Sequence, residues 1–431
     1  MKNFLAHSDE IREQMLESIS AKSVQDLFDK IPKEARTKSF NLPEALSEMQ
    51  VQKNVKALAK KNNTDTISFL GAGVYNHFIP AAVGQVAQRF EFLTAYTPYQ
   101  PEISQGTLQV MYEFQSMICN LTGMDVCNAS VYDGATACAE AILMAARITK
   151  RNKVLVSDAL NPEYKDVIKT YMWANSIETE FIKTVDLKTD FSSVKEKVES
   201  SEYACILAQI PNFFGSVESE KYCLNDALET TKTLFVAYVN VSALSILRAP
   251  VEYGADIVIG DIQPLGIPMS FGGPHAGFMA CREKFMRQLP GRIAGRTLDA
   301  EGKQAFTLTI QTREQHIKRE KATSNICSNQ ALVALCATLY LTLVGGKGFK
   351  QAGIISAQNA HKLSKMLEGK GIKTLNRDFY NEFVIEVENS DKFLANLKKK
   401  NIIGGLKLNE TQILVATTEM NTEDELALYI A

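Results

Sequence analysis

The sequence is poor in the residues that build metal centres. It holds five histidines and eight cysteines in 431 positions. No H-E-x-x-H pair and no C-x-x-C pair occurs, so neither a zincin site nor a zinc ribbon is encoded. The cysteines, at 119, 127, 138, 205, 223, 281, 327 and 336, are scattered. Spread so thinly, they read as reduced, mostly buried thiols rather than a disulfide frame. Three further signatures are missing. Leu341 stands five residues before Gly346-Lys347, so there is no phosphate-binding P-loop. Gly71-Ala72-Gly73 continues without the third glycine of a dinucleotide fingerprint, and no G-x-S-x-G elbow exists. Nucleotide-dependent dehydrogenases, kinases and serine hydrolases are thereby excluded.

Charge of one sign is also lacking. The 47 basic side chains nearly balance 49 acidic ones, for a net charge of −2, which argues against a nucleic-acid binder. The opening MKNFLAHSDEIREQ has only Phe4-Leu5-Ala6 as an apolar core, too little for a secretory signal. The longest apolar stretch, ALVALCATLYLTLV from Ala331 to Val344, is too short to span a bilayer and is interrupted by threonines. The expectation is a soluble cytoplasmic protein with no membrane or nucleic-acid partner and no metal.

What is present is the balance of a folded chain, 45% hydrophobic and 22% charged, long enough for two or three lobes. Residues 1–60 read as a helical arm: Ser8-Asp9 can cap a helix with Ile11, Met15, Leu16 and Ile19 on one face. Residues 61–325 alternate helical stretches such as Ala135–Thr149 with short apolar strands. The strands are KVLVSD (153–158), YACILAQI (203–210), TLFVAYVN (233–240), ADIVIGD (255–261) and AGFMAC (276–281). This texture predicts an α/β domain around a mainly parallel sheet. Residues 326–431 carry helices near 328–344 and 355–368 and strands at NEFVIEV (381–387) and QILVATT (412–418), an α+β lobe.

Four segments hold candidate chemistry. In TAYTPYQPEISQGT (94–107), Pro98 and Pro101 fix φ and remove donors, giving a stiff irregular loop. Locally it reads either as a connection whose tyrosines cover a core edge or as a ligand-facing loop, and the former is favoured. In SVYDGATACAE (130–140), Asp133 precedes a small-residue helix start able to approach an anion, with Thr136 adding a hydroxyl. A plain cap by Asp133 is the simpler reading. The strand ending at Asp261 runs into a Gly/Pro loop holding His275, either a base or a structural histidine. In REQHIKREKATSN (313–325), Arg313, Lys318, Arg319 and Lys321 could receive an anion or simply face solvent. There, Thr323-Ser324-Asn325 could cap the apolar helix that follows.

Together these segments are distinctive. NLPEALSEM (41–49), FLGAGVYNHFIP (69–80), YTPYQPEISQGT (96–107), NASVYDGAT (128–136) and the long run from Gly291 to Leu332 resemble the P-protein family of the glycine cleavage system, glycine dehydrogenase (decarboxylating). The resemblance covers the whole chain and is to subunit 1, the alpha type of the form split into two polypeptides. It implies the fold type I (aspartate-aminotransferase-like) pyridoxal-phosphate transferase fold. In that fold the cofactor lysine follows the strand read here as ADIVIGD, typically as His-Lys. This chain has Gln263-Pro264 there, and proline has no amine with which to hold the cofactor. The preceding strand ends in Asn240, with no aspartate for the cofactor's ring nitrogen. Lys165 is the nominal substitute.

The resemblance therefore implies a subunit without pyridoxal phosphate, the cofactor being held by a partner, P-protein subunit 2. With that partner it would decarboxylate glycine and pass the aminomethyl group to the lipoyl arm of the H-protein. No catalytic residue is expected in this chain alone. Tyr96, Tyr99, Gln100, Glu102 and His275 are expected to wall the active site at the subunit interface. Glu320-Lys321-Ala322-Thr323-Ser324-Asn325 is similar to a family stretch whose threonine reaches the neighbour's cofactor phosphate, although Ala322 replaces a glycine. That nominates Thr323 and Ser324 in trans, with Asp133 and Thr136 as a degenerate phosphate loop. A non-catalytic scaffold or regulator of the same fold, or a stand-alone pyridoxal-phosphate lyase or transaminase, are the alternatives.

Overall fold

Every residue of the strand Tyr203–Ile210 is buried, as in a strand covered on both faces. It belongs to a seven-stranded sheet in the computed structural model, which describes residues 7–37, 39–218 and 224–431. Cys223 lies outside the described residues. In chain order the strands are β1 (Val126–Cys127), β2 (Lys153–Ser157), β3 (Glu178–Ile182), β4 (Tyr203–Ile210), β5 (Leu234–Asn240), β6 (Ile257–Asp261) and β7 (Gly277–Cys281). Their spatial order is β1-β7-β6-β5-β4-β2-β3. The strands β2 to β6 pair parallel, and β7 is antiparallel to both its neighbours.

Side chains alternate across this sheet and build two cores. On one face, Val154, Val156, Leu207, Val236 and Ile259 pack with Cys138, Ala141 and Ile142 of the helix Gly134–Thr149. On the other, Leu155, Ile206, Phe235, Ala237 and Val258 pack with Phe114 and Ile118 of the helix Gln105–Thr122. Ala334, Ala337 and Tyr340 of the helix Ala331–Glu368 join this second core.

The helix Ala331–Glu368 has 38 residues, with a non-helical break at Gly345 (φ 57°, ψ 177°). Its length corrects the expectation of a short apolar stretch: by length and composition it could cross a membrane. In this fold, Ala334, Leu335, Ala337, Thr338 and Tyr340 are buried inside the protein. The helix's second half covers a four-stranded antiparallel sheet in which Glu382–Glu386 pairs with Gln412–Ala416. Phe383, Ile385 and Val415 meet Leu363, Leu367 and Tyr429 there.

Two units are separately compact, 1–64 and 65–431. In the first, Ser8 caps the helix Asp9–Ser18 by accepting the Ile11 N–H at 3.3 Å. Ser47 and Gln50 form a capping box on the helix Glu48–Ala59. All residues considered below belong to the second unit. The seven cysteines among the described residues are free thiols.

Candidate functional site

In open α/β sheets ligands gather at the carboxyl ends of the strands. At this edge β6 ends in Asp261 and is followed by Ile262, Gln263 and Pro264. Gln263 is 1% exposed. Its Oε1 accepts the Tyr75 N–H at 2.9 Å, and its Nε2 donates to the carbonyls of Tyr75 and Ile267, both at 2.9 Å. Its own N–H donates to Asp261 Oδ1 at 2.8 Å. One strand over, the Asn240 side chain accepts from the N–H and hydroxyl of Ser242. Both positions that would serve a cofactor are spent on holding backbone.

The helix Gly134–Thr149 points its N-terminus at the same edge. Asp133 Oδ1 accepts the Thr136 N–H at 2.7 Å, and Asp261 Oδ2 accepts the Gly134 N–H at 3.1 Å. Two carboxylates thus occupy the place where a helix end would receive a phosphate. Burial pushes the Asp261 carboxyl up to about 6, against the opposing pull of these N–H groups and of nearby His275. Tyr238 lies over Gly134, where a Cβ would sit 3.0 Å from its hydroxyl. That hydroxyl is 3.2 Å from the Tyr164 hydroxyl. The space left beside Pro264, Tyr75 and Asn161 is about 10 Å³. That is room for about one water, against roughly 300–1,000 Å³ for a small-molecule pocket. Pyridoxal phosphate does not fit this edge, on volume, charge or the absence of an amine. Lys165 offers no substitute, because its Nζ is held by the Asp158 carboxylate at 2.6 Å and the Asp158 carbonyl at 2.9 Å.

A second group gathers around the 94–107 loop. The Gln105 side chain accepts the Phe306 N–H and donates to the Phe306 and Pro101 carbonyls. This clamps the loop to a hairpin of strands Ile293–Leu298 and Gln304–Thr309. Tyr96 is 80% exposed and Tyr99 46% exposed, and Gln100 and Glu102 are exposed beside them. The Tyr99 hydroxyl accepts from Arg292 Nη2 at 3.0 Å, with the guanidinium carbon 5.3 Å from the ring centroid. Glu314 balances Arg292 at 3.6 Å, and His316 sets its ring edge-to-face against Tyr99 at 5.5 Å.

Thr323 joins this neighbourhood through the backbone, its N–H donating to the Arg313 carbonyl at 3.1 Å. Arg313 is itself buried and donates to the carbonyls of Ile310 and Gly291. Ser324 accepts the Ile326 N–H, and near it burial pushes up the Glu140 carboxyl, against the opposing pull of the Ser324 hydroxyl. Beyond it, Tyr132 accepts the Cys327 N–H, and Ser130 accepts the Gln330 N–H. The stretch 323–330 is therefore tied down as an irregular segment, and the helix starts only at Ala331, after Gln330. The sequence expectation that Thr323-Ser324-Asn325 caps that helix is corrected.

The nominated residues fall into two sets. Asp133, Thr136, His275 and Pro264 lie at the sheet edge that has lost its cofactor space. Tyr96, Tyr99, Gln100, Glu102, Thr323 and Ser324 lie on segments anchored to the hairpin and to 128–132. The sequence reading missed Arg292, Glu314, Gln105 and Glu140, which hold the second set in place. Burial marks Arg292 and Glu140, and tertiary contacts mark Gln105 and Glu314, and neither leaves a trace in a single sequence.

A mainly parallel sheet, one antiparallel strand after the cofactor-lysine position and a C-terminal α+β lobe define the fold type I class. A cysteine desulfurase from Thermococcus onnurineus NA1 superimposes with a TM-score of 0.61 at 14% identity, covering 90% of this chain and 98% of that one. An alanine–glyoxylate aminotransferase from Nostoc sp. superimposes with a TM-score of 0.61 at 15% identity over 92% of this chain and 98% of that one. Closer similarity separates this chain from those enzymes. The family model described as Glycine cleavage system P-protein matches residues 2–431, and the chain belongs to that family. A crystal structure of glycine decarboxylase (P-protein) of the glycine cleavage system, in inhibitor-bound form, is 40% identical with a TM-score of 0.92, covering 99% of this chain and 98% of that one. A relative from Geobacillus thermodenitrificans (strain NG80-2) named probable glycine dehydrogenase (decarboxylating) subunit 1 is 45% identical over 441 residues, covering all of this chain and 98% of its own. A relative of the same name from Desulforamulus reducens (strain ATCC BAA-1160 / DSM 100696 / MI-1) is 46% identical over 441 residues, covering 99% of this chain and 98% of its own.

Proposed function

We propose that this chain is the cofactor-free subunit of a two-subunit glycine dehydrogenase (decarboxylating). Its partner, subunit 2, holds pyridoxal phosphate, and the pair decarboxylates glycine and delivers the aminomethyl group to the lipoyl arm of the H-protein. One observation carries the division of labour. The sheet edge that would seat the cofactor is closed to about 10 Å³, with Pro264 at the lysine position. A chain in that state that keeps 45% identity along its whole length to a protein named subunit 1 is kept for something other than its own cofactor.

That role is the wall of the partner's cleft. Tyr96, Tyr99, Gln100 and Glu102 are exposed on a loop braced by Gln105, and Thr323 and Ser324 sit on a tethered stretch nearby. Such residues can orient a substrate, exclude water and add a hydroxyl to a phosphate held across the interface. His275, half-buried beside Asp261, is proposed for the same wall. A cytoplasmic location belongs to the same proposal, supported by the free thiols.

Co-expression with the candidate partner tests the reading. The pair, with lipoylated H-protein, should exchange labelled bicarbonate with the glycine carboxyl, and neither subunit alone should do so. A partner fully active without this chain would reduce it to a scaffold. Activity of this chain alone with pyridoxal phosphate would restore the stand-alone enzyme.

A further inference from the structure

Two tyrosines stand on the 94–107 loop, and the structure treats them differently. Tyr96 is 80% exposed, and no hydrogen bond of its side chain occurs among the described residues. Tyr99 is anchored by Arg292, which is 2% exposed. Arg292 is fixed in turn: its carbonyl accepts the Ala129 N–H at 2.8 Å, and its charge faces Glu314 at 3.6 Å. Its Nε and Nη1 have no hydrogen-bond partner among the described residues. A buried guanidinium that leaves two donor groups unused is costly. Among the described residues, the one hydrogen bond its guanidinium makes is to the Tyr99 hydroxyl.

That bond has a direction. A guanidinium has only donors, so at 3.0 Å the phenolic oxygen must be the acceptor. Because the oxygen accepts from the guanidinium, the phenolic proton is left to donate away from Arg292. The ring itself is fixed by the cation over it and by the edge contact with His316. Tyr99 is thus a preset donor on a half-exposed ring, and it finds no acceptor among the described residues.

We propose that Arg292 is a positioning residue that holds the Tyr99 hydroxyl as a hydrogen-bond donor to the carboxylate of the amino-acid substrate in the partner's cleft. The inference deepens the proposed function and rests on it. A carboxylate suits the site because it only accepts, and because a positioned O–H reads it without adding a further buried charge. Glu314 offsets the charge of Arg292, so what Arg292 contributes through Tyr99 is chiefly the direction of the hydroxyl.

The test uses two amines that differ only in the carboxylate. Glycine and methylamine are titrated into the assembled two-subunit complex, and binding is read from the absorbance of the bound cofactor. Tyr99→Phe keeps the ring and removes the donor. Its glycine dissociation constant should rise about ten-fold, the worth of a hydrogen bond to a charged group, with methylamine unchanged. Arg292→Lys should give a smaller rise, again for glycine alone. Because Arg292→Met would strand the half-buried Glu314, the paired variant Arg292→Met with Glu314→Gln is measured beside it for assembly and melting temperature. It too should lose glycine selectively. Equal weakening of both amines, no change, or looser retention of the cofactor itself would overturn the inference, the last by assigning Tyr99 to the phosphate. A wild-type complex that binds neither amine overturns the function beneath it, and this inference with it.

Discussion

Gln263 and Tyr75 clasp each other through both ends of one amide. The Gln263 Oε1 accepts the Tyr75 N–H and its Nε2 donates to the Tyr75 carbonyl, each at 2.9 Å. The clasp lies beside the position where the fold elsewhere carries its cofactor lysine, and it joins the 71–77 segment to the sheet edge. The Tyr75 hydroxyl continues the linkage, donating to Glu382 of the C-terminal lobe at 2.9 Å. What would be a reactive edge is therefore a rivet between elements 188 and 307 residues apart in sequence.

Gln263→Leu should test the rivet. It keeps volume but strands the N–H and carbonyl of Tyr75 and the carbonyl of Ile267, all tied by this side chain. Unsatisfied buried groups cost roughly 1–3 kcal/mol each, so a loss of about 3 kcal/mol in unfolding free energy is expected. Chemical denaturation of the isolated subunit measures it, and a change below about 1 kcal/mol would contradict the clasp.

Restoring the lysine should not restore the cofactor. In Pro264→Lys the amine would enter an edge with about 10 Å³ of space and two carboxylates at the helix end. A phosphate brought there would face Asp133 and Asp261 rather than free N–H groups. The variant, mixed with pyridoxal phosphate and borohydride, should show no stoichiometric adduct at residue 264. A stable adduct would mean that the edge opens far more easily than its packing indicates.

Glu382 sets a pH dependence. Burial pushes its carboxyl from 4.5 up to about 7, partly offset by bonds from the Ala72 N–H and the Tyr75 hydroxyl. A raised folded-state value favours the protonated form, so its contribution is whole below pH 4.5 and is lost as pH rises through about 7. The shift corresponds to about 3 kcal/mol. Asp261, raised to about 6, works in the same direction. Glu382→Gln should flatten the stability profile of the isolated subunit between pH 4.5 and 7 while leaving the smaller Asp261 slope. An unchanged profile would place the Glu382 titration elsewhere.

Much of the fold was legible because its strands are buried on both faces. YACILAQI coincides with the strand Tyr203–Ile210 residue for residue, since a run with no polar face has few other uses. The hairpin 293–309 escaped notice because strands carrying Gly295 and Arg296 lack that continuity. The break at Gly345 was visible as two helices, although the second begins at once rather than near 355. The site was legible only in part. Exposed loop residues such as Tyr99 declare themselves by type and by the prolines around them, whereas Arg292 looks like any surface arginine until the fold buries it. Thr-Ser-Asn at 323–325 reads as a cap by every local rule, yet the helix begins only at Ala331, after Tyr132 and Ser130, distant in sequence, have bonded the backbone of Cys327 and Gln330.

That last point sharpens the test of Thr323. Its hydroxyl is proposed to reach the partner's cofactor phosphate, and Thr323→Val keeps the shape while removing the donor. A hydrogen bond to a charged group is worth roughly 1.5–3 kcal/mol, so the assembled complex should hold pyridoxal phosphate about ten-fold or more less tightly. The isolated partner should be unaffected, because the contact is made in trans. A capping role would instead cost this subunit itself the roughly 1 kcal/mol of stability typical of a lost cap, and lower its melting temperature. The structure argues against that outcome, since the helix begins at Ala331 and the Thr323 backbone is held by Arg313 whatever its side chain. Cofactor titration of the mutant complex, beside a melting curve of the mutant subunit alone, separates the two. An unchanged dissociation constant would remove Thr323 from the phosphate and leave Tyr99 and its loop to define the wall.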